Sequence, residues 1–162
     1  MTYRSRDIIQ AITDILANMH VDFVDMHNQR IQQGVSTVYP YGLNSGQIPE
    51  EWSWEISSAL GIDMQQNKSR DVWDFTLTMF CQNFEAEAAK TAEIAHEFLD
   101  LTRNIFRSWE QAGLGGVVNQ VNFPSTDQSF MIINMGDQYG DWIAFKFVME
   151  AMVIDPYAEI TR

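Results

Sequence analysis

The feature that most constrains this fold is a change of hydrophobic period within the stretch from Val72 to Ala112. The first part alternates apolar and polar residues, as in a strand with one buried face. Its apolar positions are Trp73, Phe75, Leu77, Met79 and Cys81. From Glu85 onward, apolar residues recur every three or four positions, as on one side of an amphipathic helix. They are Ala88, Ala92, Ala95, Phe98, Leu99, Thr102, Ile105, Phe106 and Trp109. The stretch therefore predicts a strand that leads into a long helix, with Asn83 as its N-cap and Gly113 as its stop.

The N-terminal segment predicts a second helix. Ser5 is a suitable N-cap, and apolar residues follow at helical spacing up to Met19. The same spacing continues through Phe23 and Met26, so we predict that the helix extends to Gln32 before Gly34 stops it. The alternative is a short strand at Val21–Asp25.

The next segment, 34–51, is rich in proline, glycine and tyrosine, which predicts a loop with at most a short strand near Val35–Tyr39. Alternation at Trp52, Trp54 and Ile56 then predicts a strand, and the polar segment 61–70 predicts a flexible connection. Three further strands are expected after the long helix, at 117–123, 130–135 and 142–153. The last is apolar on both faces, which is typical of a strand covered twice or of one that meets another subunit.

This order of elements predicts the α+β class, in one domain that spans residues 1–162. We expect a mostly antiparallel sheet of about four to six strands, packed against the N-terminal helix and the long central helix.

The charge balance disfavours some functions. With 10 Lys+Arg against 22 Asp+Glu, the formal net charge is −12, whereas phosphate and anionic-lipid contacts need clustered basic residues. We therefore expect neither specific nucleic-acid binding nor membrane binding. The sequence contains no signal-peptide core and no apolar run of transmembrane length, and its single cysteine, Cys81, excludes an internal disulfide. Synthesis in a cytoplasm is expected.

Catalytic and cofactor motifs are missing from the sequence, so we predict no enzyme, no metal and no cofactor. The alternative from another class is a small metal-dependent enzyme that uses His20, Asp22, Asp25 and His27, since the two histidines flank the two aspartates and would share one side of a continuous helix. Solvated surface residues are the favoured interpretation of these four positions. Cys81 is interpreted as a buried hydrophobic residue rather than a nucleophile.

Aromatic residues offer candidate contact surfaces. Trp52 and Trp54 share one face of a short strand, and Tyr39 and Tyr41 flank a proline. Core and turn packing is the favoured interpretation. The alternative is a protein-binding module that presents the two tryptophans, because aromatic residues are enriched in interfaces.

Three stretches carry a resemblance to a known family. They are Ser69–Leu77, the alanine-rich Glu87–Ala95 and the final strand Asp141–Met149. In this order of elements the chain resembles the tail terminator (tail-completion) proteins of long-tailed bacteriophages of the siphophage type.

The resemblance implies a structural virion protein. Such a subunit forms a hexameric ring on the head-proximal end of the tail tube, stops polymerisation of the major tail-tube protein and contacts the head-completion (connector) protein. The resemblance implies no catalysis and no cofactor. It also implies that the chain is made in the host cytoplasm, where it can be a monomer before assembly. Another phage neck or minor tail protein is the alternative within this class.

Contacts within such an assembly are predicted on the loops 34–51, 61–70, 124–129 and 136–141. The candidate subunit and tube contacts are Tyr39, Tyr41, Lys68, Arg70 and Tyr139.

Overall fold

The computed structural model describes residues 4–57, 65–66, 70–82, 88–108, 114–122, 128–134 and 141–154. The helices are α1 (Arg4–Ala17) and α2 (Ala88–Arg107), and Leu114–Gly116 forms one turn of 3₁₀ helix. The strands are β1 (His20–Val24), β2 (Arg30–Gly34), β3 (Val38–Tyr39), β4 (Ser53–Ser57), β5 (Gln65–Gln66), β6 (Arg70–Gln82), β7 (Gln120–Asn122), β8 (Gln128–Asn134) and β9 (Asp141–Ile154).

The described strands form a seven-stranded sheet and a separate two-stranded ribbon, β1–β2. The larger sheet runs β3-β4-β6-β9-β7, with β5 beside β6 and β8 beside β9. Every pair is antiparallel except β3–β4. The predicted α+β class and mostly antiparallel sheet are confirmed. The sheet exceeds four to six strands because the two-residue strands β3 and β5 come from segments that resemble loops in sequence.

The centre of the sheet is the pairing of β6 with β9, which continues for 13 residue pairs from Arg70–Ile154 to Gln82–Trp142. The predicted alternation in β6 is confirmed, because its five predicted apolar positions are all buried. β9 is the neighbour of β6 on one side and of β7 and β8 on the other. The final strand is therefore central in the sheet, and on its second face Trp142 and Ala144 are buried whereas Lys146 is exposed.

Both helices pack on the same face of the sheet. The α1 residues Ile8, Ile12 and Leu16 are fully buried, and so are Phe98 and Phe106 on α2. These residues belong to one core cluster with the inward residues of β6 and β9. The predicted stripe of α2 is confirmed over the described residues; the proposed cap Asn83 and stop Gly113 lie outside them. Neither described helix is long and apolar enough to cross a membrane.

The first turn of α1 is tied directly to the sheet. The indole Nε1 of Trp73, on β6, donates a hydrogen bond to Ser5 Oγ at 3.0 Å. Ser5 lies inside α1 rather than before it. Its hydroxyl connects the helix to β6, and the prediction that Ser5 precedes the helix as its N-cap is wrong.

The opposite face of the sheet is covered at one end by the loop between β3 and β4. Leu43 N donates a hydrogen bond of 2.8 Å to Glu55 Oε2 on β4. Leu43 and Ile48 also pack on a second cluster of buried residues, formed by Phe80, Trp142 and Ala144. The loop in the 34–51 segment is therefore an integral cover of the sheet.

The strand at Trp52–Ile56 is confirmed with a shifted start. Trp52 has a φ of 57° and precedes β4, and its N–H donates to Phe80 O at 2.7 Å. Ser53 also lies opposite Phe80, so two residues face one and the strand begins with a bulge. Trp52 and Trp54 are 7% and 0% exposed. Both tryptophans belong to the core, and a binding module that presents them at the surface is excluded.

The predicted continuation of the N-terminal helix to Gln32 is wrong. α1 ends at Ala17, and the chain then forms the hairpin β1–β2, in agreement with the alternative strand at Val21–Asp25. Val21 and Ile31 are buried on the side that faces α2, whereas Asp22 and Arg30 are exposed. Long-range packing on α2 therefore decides between helical and strand spacing.

The strand predicted at 117–123 begins later in the structure. The chain leaves Gly116, which has a φ of 97°, and forms β7 only at Gln120–Asn122. Val118 is buried before the strand begins. The two other predicted strands are confirmed as β8 and β9 over the described residues.

Candidate functional site

The two predicted tyrosine contacts have different surroundings. Tyr39 ends β3 and is half-buried, and its hydroxyl oxygen accepts a hydrogen bond of 3.1 Å from Glu50 N. This hydrogen bond joins the two ends of the β3–β4 loop, so Tyr39 stabilises the loop. Tyr41 is 56% exposed. It is accessible for a contact.

The three other predicted contacts are not brought to one described surface. Arg70 begins β6, where its backbone pairs with Ile154 at one end of the β6–β9 pair. Lys68 and Tyr139 lie outside the described residues. Their grouping into a subunit or tube interface stays a prediction.

The structure contains a different candidate contact surface, at the turn of the β1–β2 hairpin. Asp25 Oδ1 accepts hydrogen bonds from the backbone N–H groups of His27 and Gln29, each at 2.8 Å. Asn28 has a φ of 59°, a left-handed conformation that asparagine tolerates well. The buried carboxylate therefore fixes the turn that carries Met26.

The turn is also joined to α2. Met26 N donates a hydrogen bond of 3.3 Å to Glu93 Oε2, across a sequence separation of 67 residues. Ala89, Ala92, Glu93 and His96 are spaced three, one and three residues apart, so they share one side of α2. This side of the helix and the turn form the two walls of a groove.

The groove has a volume of about 550 Å³ and is open to solvent. Its lining residues are Phe23, Val24, Asp25, Met26, Ala89, Ala92, Glu93, His96 and Glu97. Val24 and Met26 are 63% and 83% exposed, although they are large apolar side chains. We call this surface the hairpin groove.

The charged residues that line the hairpin groove are all acidic. Asp25, Glu93 and Glu97 are in the lining, and His96 is beside them. The backbone hydrogen bond from Gln29 lowers the pKa of Asp25, against the opposing effect of burial, and Lys90 contributes a smaller attraction. The surface combines apolar walls with negative charge.

The exposed side of the hairpin carries an ion pair. Arg30 Nη2 lies 2.7 Å from Asp22 Oδ2, and Arg30 Nε donates a second hydrogen bond to Asp22 Oδ1 at 3.0 Å. Gln32 Nε2 also donates to Asp22 Oδ2 at 3.3 Å. The hydrogen bond from Arg30 is the main reason that the pKa of Asp22 falls from 3.8 to about 2.

We expect the carboxyl carbon of Asp22, followed by NMR, to titrate with a midpoint near pH 2. Because the folded-state pKa is lowered, the stabilising effect of Asp22 is present above its unfolded pKa and is lost as the pH falls through the folded value. Arg30→Met should move the midpoint back towards 3.8, and Gln32→Ala should move it less. A midpoint unchanged by Arg30→Met would contradict the ion pair.

The metal-enzyme alternative loses its geometric basis. His20 and Asp22 lie on β1, whereas Asp25 and His27 lie in the turn, so the continuous helix that would bring His20 and His27 to one side is not formed. Asp22 is paired with Arg30, and Asp25 Oδ1 is bonded to the turn. Within the described part of the chain, no three His, Cys, Asp or Glu side chains are grouped closely enough to hold a metal ion.

Cys81 and His96 have the environments of structural and surface residues. Cys81 is fully buried, and burial is the main cause that raises its pKa to about 12. A thiol with this pKa is a poor nucleophile near neutral pH. His96 is exposed on α2, at the hairpin groove.

Sequence reasoning did not identify the hairpin groove. Met26 fitted the helical spacing predicted up to Gln32, and this concealed the fact that it lies in a turn. The available signal was the pair Val24 and Met26, two apolar residues among Asp22, Asp25 and His27. Comparison of the sequence with protein-family models found no match, and comparison with curated proteins found none either.

Proposed function

We propose that this chain is a structural virion protein that caps the head-proximal end of a phage tail tube as a ring. It would stop polymerisation of the major tail-tube protein and form the interface to the head-completion protein. The observation that carries the proposal is the order of the three stretches that resemble tail terminators. Their described residues lie in β6, in the first turns of α2 and in β9, and β6 and β9 are the central pair of the sheet.

The proposed mechanism is geometric. One face of the ring would contact the last ring of tube subunits, and the other face would offer no surface to a further tube subunit. Repeated sixfold, a chain with a net charge of −12 would give a strongly negative ring. DNA phosphates would be repelled from the wall of such a lumen, so the genome would pass without being bound.

The surfaces of the described residues support an interaction protein. Tyr41 is exposed in the β3–β4 loop, and the hairpin groove presents Val24 and Met26 to solvent. Aromatic residues and methionine are enriched in protein–protein interfaces. These surfaces are the candidates for contacts to the tube, to the head-completion protein or to neighbouring subunits.

Tails assembled without this chain test the proposal. We expect negative-stain electron micrographs of the deletion mutant of the encoding phage to show abnormally long tails, because tube growth is not stopped. Expression of the intact chain from a plasmid should restore the normal length.

Tails of normal length in the deletion mutant would contradict a terminator. Normal tails that fail to join heads would instead favour another neck protein, and an altered tail tip would favour a minor tail protein.

A further inference from the structure

We propose that the hairpin groove is a docking site for an amphipathic segment of a partner protein, with a large apolar side chain and a flanking lysine or arginine. The partner is a different protein and not a second copy of this chain. This inference deepens the proposed function and rests on it for the class of partner, since a capping subunit needs surfaces for its neighbours in the tail.

The apolar half of the argument rests on exposure. Met26 is 83% exposed and Val24 is 63% exposed, while Ala92 forms the opposite wall. A flexible, polarisable methionine adapts to the shape of an incoming side chain. The groove, at about 550 Å³, is large enough for a few apolar side chains. Because it is open to solvent, it suits a segment of chain better than an enclosed small molecule.

The other half of the argument is charge complementarity. Glu93 and Glu97 line the groove on the α2 side, and Asp25 lines it on the hairpin side. No lysine or arginine is among the lining residues, although Lys90 is close enough to act on Asp25. A basic residue beside the apolar anchor would therefore be attracted, and an acidic one would be repelled.

The same charge argues against a second copy as the occupant. A second copy has only 10 Lys+Arg against 22 Asp+Glu, so it offers few basic residues to the acidic lining of the groove, and copies in the ring would meet through other surfaces. A partner segment with basic flanks is attracted by the same lining.

The test is a titration of the full-length, ¹⁵N-labelled chain with two synthetic helical peptides. Both carry leucines four residues apart; one has arginines beside the leucines, and the other has glutamates at the same positions. We expect the arginine peptide to shift the amide signals of residues 23–26 and 89–97. The glutamate peptide should bind at least about tenfold more weakly.

Variants separate the groove from general electrostatic attraction. Met26→Ser should weaken the arginine peptide at least about fivefold, the loss that marks an important interface contact. Glu97→Lys should weaken it as well. Asp14→Lys makes the same charge change on an exposed position of α1, and should leave the affinity nearly unchanged. Because Met26 is exposed, its replacement should leave the chain folded, with amide signals outside the hairpin groove unchanged.

Several results would overturn the docking site. They are no binding of the arginine peptide at millimolar concentration, shifts outside the hairpin groove, equal binding of both peptides, or an equal loss in Glu97→Lys and Asp14→Lys. Concentration-dependent shifts of residues 23–26 and 89–97 without peptide would assign the groove to a second copy instead. Tail length decides the proposed function separately: groove binding together with normal tails in the deletion mutant would reject the terminator role and keep the docking site.

Discussion

Phe145→Ala is expected to lower the free energy of unfolding by about 3–5 kcal/mol, the usual cost of removing a buried phenylalanine ring. Phe145 lies on the central strand β9, opposite Met79 of β6, and is 0% exposed. Its ring meets the indole of Trp54 edge to face, with centroids 5.6 Å apart. The substitution therefore removes an aromatic contact and leaves a cavity between the sheet and the helices.

Urea unfolding followed by circular dichroism measures this loss. The matched control is Lys146→Ala, one residue along the same strand, where the side chain is exposed; the change should stay within about 0.5 kcal/mol. A loss below about 1 kcal/mol for Phe145→Ala would show that the ring is not packed as described. Since domains of this size are stable by only about 5–15 kcal/mol, the expected loss is a large fraction of the total.

Asp25→Ala is expected to destabilise the chain by about 1.5–3 kcal/mol, because a carboxylate that accepts backbone hydrogen bonds contributes about this much. Asp25 is only 8% exposed, and its Oδ1 holds the N–H groups of His27 and Gln29. Without it the turn loosens, and Met26 loses its fixed place in the hairpin groove. Binding of the arginine peptide should weaken together with stability.

Two milder substitutions on the same hairpin serve as controls for Asp25→Ala. Asp25→Asn keeps an acceptor oxygen at the same place and should lose less stability. Asp22→Asn changes a carboxylate on the same hairpin whose ion pair with Arg30 is exposed to solvent, and it should cost less stability than Asp25→Ala. Equal losses in Asp25→Ala and Asp22→Asn, measured by urea unfolding, would contradict the structural role of Asp25.

The effect of Asp25 also has a defined pH dependence. Its folded-state pKa is lowered from 3.8, so its stabilisation is present above the unfolded pKa and is lost as the pH falls through the folded value. The difference in stability between the native chain and Asp25→Ala should therefore be constant near neutral pH and shrink below about pH 4.

The elements that could be predicted from sequence are those whose burial repeats over many residues. β6 places a buried apolar residue at every second position from Trp73 to Cys81, and α2 keeps one apolar side for several turns, so each pattern favours one element. The segment 20–34 is different. Its apolar residues fit helical spacing and also the short strands that the structure contains, and packing against α2, far along the chain, decides between them.

The hairpin groove could not be predicted because its two walls are distant in sequence. Met26 and Glu93 are 67 residues apart and meet only after the hairpin has packed on α2. The role of the β3–β4 loop was hidden for a similar reason: Leu43 and Ile48 have no periodic pattern, and their partner Trp142 lies near the end of the chain. By contrast, burial of Trp54 and Cys81 follows from their positions on alternating strands.

The long pairing of β6 with β9 has a mechanical consequence. Its hydrogen bonds lie across the strand direction, so a force along the strands that pulls Arg70 away from Trp142 loads them together in shear. A force that separates Arg70 from Ile154, which lie at the same end of the β6–β9 pair, opens the hydrogen bonds one after another. The protein should therefore resist tension along β6 and β9 far better than a force that peels the two strands apart from one end. A subunit that carries load in a filament would be strongest with these two strands parallel to the force.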